Sequence, residues 1–230
     1  MTNASTAKRT QGEAQYQEAI DLIAKRGFER LGLVSSWAYF DDPKRLTFTF
    51  ARYKFVAKML AGCRHVLEVG CGDAFFSRVV RQDVKQLTGI DLDPAFVEDA
   101  NARASDKWPI EVRLHDMMKG PIEGSFDGAY SLDVLEHIEA ADEDQFLRNV
   151  LASLEPHGTL IIGMPSLQSQ TYASAHSKIG HVNCKDQPDL KRLMLKYFHN
   201  VFAFSMNDEV VHTGYHAMAH YNLVLCCGKR

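Results

Sequence analysis

The stretch VLEVGCGDAFF, Val66 to Phe76, decides the reading of this chain. An apolar run stops at Gly70-Cys71-Gly72 and an acid, Asp73, stands directly beside the glycines. This is the pattern of a strand running into a tight turn ahead of a helix. Gly70 and Gly72 permit backbone angles and a close ligand approach that a side chain would obstruct. Glycine turns of this kind serve several cofactors, so the neighbouring segments must decide which.

Those segments alternate. After Gly62 come HVLEVG as a strand, AFFSRVVRQ as a helix, KQLTGIDL as a strand, PAFVEDANARAS as a helix and IEVRLHD as a third strand. FDGAYSLDVLEHI supplies a fourth strand and a loop, DEDQFLRNVLASL a helix and GTLIIGMP a fifth strand. PDLKRLMLKYF then reads as a helix, and VFAFSMNDEV and HYNLVLCCGK as two more strands able to pair as a C-terminal antiparallel hairpin. The count predicts an α/β fold with a mostly parallel, seven-stranded sheet and helices on both faces. Its ligand crevice is expected outside the strand carboxyl ends.

Ahead of this core, residues 1–12 read as a flexible tail and residues 13–61 as N-terminal helices placed to act as a lid. One helix is expected from Glu13 to Leu31, and a second runs from the Asp42-Pro43 start to Leu60. Residues 62–230 form the core, with an insertion at about 165–188 expected to build an acceptor loop.

A chain of 230 residues can spend itself on one α/β core. The formal charge of -3 offers no basic excess to hold a polyphosphate backbone, so nucleic acid is not expected as a partner. Five cysteines form no CxxC pair or zinc-ligand spacing, which fits reduced thiols in a cytoplasmic protein. Apolar runs such as LIIGM are too short to span a bilayer, so no membrane association is expected.

The strand ends narrow the ligand. Asp91 ends the second strand nineteen residues after Gly72, where a carboxylate can accept hydrogen bonds from ribose hydroxyls. The third strand ends in Asp116, followed by Met117 and Met118, which are suited to an adenine edge and face. Together these ends describe a nucleoside pocket. Glu68 and Asp73 flank the glycines and would repel a pyrophosphate, yet they suit a ligand that carries an ammonium and a sulfonium. That counts against a nicotinamide or flavin dinucleotide, and a dehydrogenase is the weaker third reading.

With these motifs in order, the chain resembles the class I S-adenosylmethionine-dependent methyltransferases over residues 50–225. VLEVGCGDAFFS is similar to their first motif, TGIDLDP to the second-strand acid motif, HDM to the adenine-contacting third strand end, YSLDVLEHI to the fourth-strand motif and LEPHGTLIIGMP to the fifth-strand segment. The resemblance implies a Rossmann-like fold and S-adenosyl-L-methionine as cofactor. It also implies that Gly70 and Gly72 approach the amino acid part of that cofactor, that Glu68 orients the glycine loop and that Asp91, with its neighbour Leu92, holds the ribose side. By the same resemblance Asp116 and Met117 hold adenine, Asp133 sits near the methionyl group, and Arg52 and Tyr53 reach the cofactor carboxylate.

The acceptor side is less determined. His137 follows the fourth strand and His181 lies in the insertion, and these two are the candidate bases; Glu136 reads as structural. Trp37, Tyr39, His176 and His216 are candidates for the acceptor pocket. His212, His216 and His220 recur with even spacing, but no carboxylate set beside them resembles a magnesium site, and no metal is assigned. The expected activity is methyl transfer to an oxygen or nitrogen of a small metabolite, in sugar, quinone or natural-product biosynthesis, by a monomer or homodimer. Two alternatives remain open. One is a non-catalytic S-adenosylmethionine-binding partner protein; the other is a protein or RNA methyltransferase, which the missing NPPY-type motif and basic docking face disfavour.

Overall fold

The computed structural model describes residues 9–230, so residues 1–8 of the tail expected over 1–12 lie outside the described residues. The chain divides into two compact units at Leu31/Gly32. In the first, a 3₁₀ turn (Ala14–Tyr16) leads into helix α1 (Gln17–Arg26), which ends at Gly27, whose φ of 80° is open to glycine. None of its residues is buried.

The second unit carries the sheet. Its strands are β1 (His65–Val69), β2 (Gln86–Asp91), β3 (Glu111–Leu114), β4 (Phe126–Leu132), β5 (Leu154–Pro165), β6 (Phe198–Asn207), β7 (Val210–His212) and β8 (Tyr221–Lys229). They lie in the order β3-β2-β1-β4-β5-β8-β6-β7. The first five are parallel, and β8 inserts antiparallel between β5 and β6. The sheet is thus mostly parallel with an antiparallel C-terminal extension, and it has eight strands rather than seven. The extra strand, β7, is a three-residue edge paired with β6 through Ser205↔His212 and Asn207↔Val210. Three residues are too few to show alternation, and the turn before it depends on Asp208 at a φ of 48°.

Alternation along each strand sends side chains to two cores. Leu67, Val69, Leu160 and Ile162 pack with Phe146, Leu147 and Val150 of α6 (Glu143–Ser153) and with Leu190 and Met194 of α8 (Gln187–Met194). Val66, Tyr130 and Ile161 pack on the opposite face with Tyr53 and Val56 of α3 (Lys44–Met59), Leu60 just past its end and Val80 of α4 (Ser77–Arg81). Helix α5 (Pro94–Ala102) covers the outer edge with Val97 and Ala100, and Asp93 caps it by accepting from the Ala95 N–H.

One helix of this unit falls between the two expected ones, in the stretch from Gly32 to Asp41 where none is expected. Helix α2 (Leu33–Asp41) has no side-chain cap of its own. Its first turn is held instead by distant carboxylates: the Ser35 N–H donates to Asp73 Oδ2 at 2.8 Å and the Leu33 N–H to Asp99 Oδ2 at 3.1 Å. Tertiary partners, not local sequence, fix where it begins. Helix α7 (Ala175–Gly180) lies within the long connection between β5 and α8.

Candidate active site

The parallel strands end level, because Val69 pairs with Ile90 and Asp91 with Leu114. Their carboxyl ends therefore bring Asp116, Asp91, the glycine turn and Asp133 side by side in the strand order β3-β2-β1-β4. Connections leave β1 and β4 in opposite directions, so the crevice lies at the point where the strand order reverses. Four strands span about 14 Å at ordinary inter-strand spacing.

The glycine turn is built for close approach at one glycine and for packing at the other. The Gly70 and Cys71 N–H groups donate to the Ile90 carbonyl at 2.9 and 3.0 Å, which pins the turn to β2. A Cβ at Gly70 would fall 2.2 Å from Val134 Cγ2, so that position is filled from behind. A Cβ at Gly72 would meet nothing within 4 Å, although its φ of 51° is left-handed. The space above Gly72 is a cradle that a side chain would occupy.

Asp91 lies beside it. Its Oδ2 accepts from the Gly72 N–H at 2.8 Å and its Oδ1 from the Asp93 N–H at 3.0 Å. A carboxylate has about four lone-pair sites, so two remain for a diol. Leu92, the next residue, is exposed. At the end of β3, Asp116 Oδ1 accepts from the Met118 N–H at 2.9 Å; the side chain of Met117 is buried in the core and its carbonyl accepts from Asn149.

Glu68 is fully buried below the turn and accepts from the Tyr53 hydroxyl at 2.8 Å. Its second oxygen has no partner, and burial pushes the carboxyl up to about 7. The Tyr53 hydroxyl is thereby committed to Glu68. Arg52, one residue earlier, donates through Nη1 to both Asp133 oxygens at 3.1 and 2.8 Å and lies over the Tyr221 ring at 3.7 Å. The residue placed at the methionyl end, Asp133, thus carries a cation of the chain itself and has a φ of 57°. Asp73 is turned away to α2: beyond the Ser35 N–H it accepts from Ser35 Oγ at 3.2 Å and from the Phe75 N–H at 3.1 Å. A Cβ at Gly32 would touch it at 2.2 Å.

Beyond β4, His137 and His181 come together from 44 positions apart in sequence, with ring centroids 5.3 Å apart. His137 Nδ1 lies 2.8 Å from the Gly180 carbonyl and His181 Nδ1 lies 2.8 Å from Gln170 Oε1. Oxygens of these types only accept, so each Nδ1 donates, and in the neutral ring the lone pair falls on Nε2. Burial, reinforced by His137, lowers the pKa of His181.

The remaining acceptor candidates are scattered. Trp37 and Tyr39 are exposed on α2, where Arg45 stacks on Trp37 at 5.2 Å. His216 opens the one-turn helix His216–Met218 between β7 and β8. The side chain of His176 lies outside the described residues. His212 contacts Asn207 Oδ1 and His220 packs edge-on to Phe48, so the evenly spaced trio does not converge. Sequence reading missed the pairing of Arg52 with Asp133 and the docking of α2 on Asp73; each joins residues distant in the chain.

Residues 67–162 match the family model for a methyltransferase domain. The chain carries a class I S-adenosylmethionine-dependent methyltransferase domain. A ubiquinone biosynthesis O-methyltransferase of Xanthomonas campestris is 30% identical over 137 residues, which cover 58% of this chain and 54% of that protein. A mitochondrial ubiquinone biosynthesis O-methyltransferase of Schizosaccharomyces pombe is 29% identical over 104 residues, 43% of this chain and 37% of the relative. The chain spans about half the length of the curated relatives it matches. Among solved structures, the N-methyltransferase NodS of Bradyrhizobium japonicum, in complex with S-adenosyl-L-homocysteine, superposes with a TM-score of 0.59 at 19% identity, over 84% of this chain and 92% of that one. That likeness is one of fold.

The cofactor of this domain is S-adenosylmethionine, and the residues fit it. The open cradle over Gly72, the unused lone pairs of Asp91 and the acid at Asp116 follow one another along the sheet edge in the order expected for amino acid, ribose and adenine. Among the described residues, no helix is long and apolar enough to cross a membrane.

Proposed function

We propose that the protein transfers a methyl group from S-adenosylmethionine to a hydroxyl oxygen of a small aromatic or polyol metabolite. The supporting observation is the pair of imidazoles beyond β4, whose Nδ1 atoms face carbonyl oxygens, so that the neutral ring presents its lone pair on Nε2. A hydroxyl must lose its proton as it is methylated, whereas a neutral amine attacks through its own lone pair. Two poised proton acceptors therefore favour oxygen. The relatives named as ubiquinone biosynthesis O-methyltransferases support the same choice, although the chain covers only about half of them.

When bound, S-adenosylmethionine supplies an electrophilic methyl on a sulfonium. The chain does the rest by placement. Gly72 lets the amino acid part of the cofactor lie against the backbone, Asp91 and Leu92 hold the ribose side and Asp116 and Met117 the adenine side. Glu68, held by Tyr53, keeps the turn in shape. Arg52 holds Asp133 in place near the methionyl group, and His137 or His181 takes the acceptor proton. Trp37 and Tyr39 on α2, and His216 from the separate segment before β8, are proposed to border the acceptor from different sides, with α2 and the insertion at about 165–188 covering it and excluding water. All five cysteines are free thiols, and we place the activity in the cytoplasm.

The test is incubation with S-adenosylmethionine and separate panels of phenols, sugars and amines, followed by mass spectrometry. The proposal expects S-adenosylhomocysteine together with a methyl ether from a hydroxylated acceptor. Turnover confined to amines, or to protein or RNA, would reject it, and cofactor binding with no turnover on any panel would favour a partner protein.

A further inference from the structure

Glu136 has no role in the site described so far, and among the described residues it is the one side chain with two buried polar atoms and no partner for either. Its side chain is fully buried, yet neither carboxylate oxygen has a hydrogen-bond partner. A buried, unpaired carboxylate costs several kcal/mol. The backbone nevertheless pins it there, because the Glu136 carbonyl accepts from the Val182 and Asn183 N–H groups at 2.9 and 3.0 Å. Those two contacts also carry His181 to the same place.

The groups facing the carboxylate are the two imidazoles. His137 Nε2 lies 4.0 Å from Glu136 Oε1, and one ligating atom each from Glu136, His137 and His181 lies within 4.8 Å of the other two. Both Nδ1 protons are already spent on Gly180 and Gln170. Three acceptor groups therefore face one another with no donor between them. A single shared proton satisfies one pair of these atoms and leaves the third group unpaired, whereas a divalent cation satisfies all three. The carbonyl contacts on both Nδ1 atoms are the kind of outer contact that orients histidine ligands. Asp133 and Arg52 are the other charges that act on the carboxylate, and they are paired to each other.

We propose that Glu136, His137 and His181 form a divalent transition-metal site of the zinc class. Two imidazoles and one carboxylate suit zinc or a similar ion better than magnesium, which prefers oxygen donors. Bonds of about 2.0–2.1 Å bring such donors to within roughly 3.3 Å of each other, so each side chain closes inward by on the order of 1 Å. Half of the His137 side chain is exposed, which leaves an entry path and an open coordination position on the acceptor side. Gly180 is part of this design, since a Cβ there would press on His137 Nδ1 at 3.1 Å. An ion at this place takes the Nε2 lone pairs and so replaces the imidazoles as the group that eases loss of the acceptor proton: it lowers the pKa of a hydroxyl bound to it, and the proton leaves to solvent. That use rests on the hydroxyl reading given above; the binding itself does not.

The test is made without cofactor or acceptor. Chelator-treated protein is titrated with Zn²⁺ by calorimetry and with Co²⁺ by visible absorption. One ion per chain is expected, with d–d bands of nitrogen and oxygen ligation and no thiolate charge-transfer band. His181→Ala and Glu136→Gln should each weaken binding by at least about tenfold, while the control His212→Ala/His216→Ala, away from the cluster, binds as the native chain does. Circular dichroism checks that the variants fold, and the half-exposed His137→Ala gives a third comparison if Glu136→Gln does not. The site is refuted if the native chain binds no ion, if His181→Ala and His137→Ala bind like it, or if a thiolate band assigns the ion to Cys184. Metal binding without methyl transfer to any hydroxyl would sink the acceptor reading and leave the site. Hydroxyl methylation that persists unchanged in chelator, with no ion bound, would do the reverse.

Discussion

Replacing Gly72 by alanine separates the cost of the turn from the cost to the ligand. At Gly72 the added Cβ meets nothing within 4 Å, so only the left-handed backbone at a φ of 51° opposes it, about 1–2 kcal/mol. At Gly70 the same backbone cost applies at a φ of 78°, and the Cβ would also sit 2.2 Å from Val134 Cγ2. Relieving that overlap adds about 1–3 kcal/mol. Gly70→Ala is therefore expected to lose about 2–5 kcal/mol in urea unfolding, roughly twice the loss for Gly72→Ala. Cofactor affinity should behave differently. The Cβ of Gly72→Ala enters the cradle itself, so titration with S-adenosylhomocysteine should show at least about a tenfold weaker Kd, or about 1.4 kcal/mol. If Gly72→Ala keeps native affinity, or destabilises the chain as much as Gly70→Ala, the open space is not the cofactor cradle.

Further outcomes follow from the buried acids and the histidines. Glu68 has a folded pKa of about 7, above its unfolded value, so the native state holds the extra proton between the two and stability falls as pH rises from about 4.5 to about 7. The cost is on the order of 3 kcal/mol; Glu68→Gln, which still accepts from Tyr53, should flatten this dependence and melt several degrees higher than the native chain at pH 8. Thermal scans showing the native slope retained in the variant would contradict it. Asp73→Ala removes three hydrogen bonds, two of them to Ser35, and should cost about 2 kcal/mol while raising hydrogen exchange in α2; unchanged exchange there would mean that α2 is held elsewhere. His137→Ala and His181→Ala are expected to lower kcat by about 10²-fold or more with near-native cofactor affinity. Full turnover at saturating acceptor in both would remove the imidazoles from the chemistry.

What was legible in the sequence lay on single strands and their ends. The first, second and fourth parallel strands are largely apolar and stop at glycine or an acid, and the third is followed by Asp116, so VLEVG, TGID and the ends at Asp116 and Asp133 could be placed on one edge before any coordinates. The parts that were not legible depend on contacts between distant segments. Helix α2 has no cap of its own and begins where Asp73 and Asp99 hold it. Asp73 itself, beside the glycines, reads as a charge meant for the ligand, yet its lone pairs go to Ser35 and Phe75. Arg52 reads as a hand for the cofactor carboxylate, while in the fold its bonds go to Asp133 across 81 positions. Glu136 reads as structural beside His137, and only the return of the chain at Val182 and Asn183 puts His181 against it.

The central claim is that the crescent from Gly72 to Asp91 holds S-adenosylmethionine, and calorimetric titration of S-adenosylhomocysteine into the native chain and into Asp91→Ala tests it most directly. The account predicts one site per chain in the native protein and a Kd weakened by at least about tenfold in Asp91→Ala, because the diol loses its acceptor. Equal affinity in the two proteins, with both folded by circular dichroism, would contradict the placement of the cofactor on this edge of the sheet.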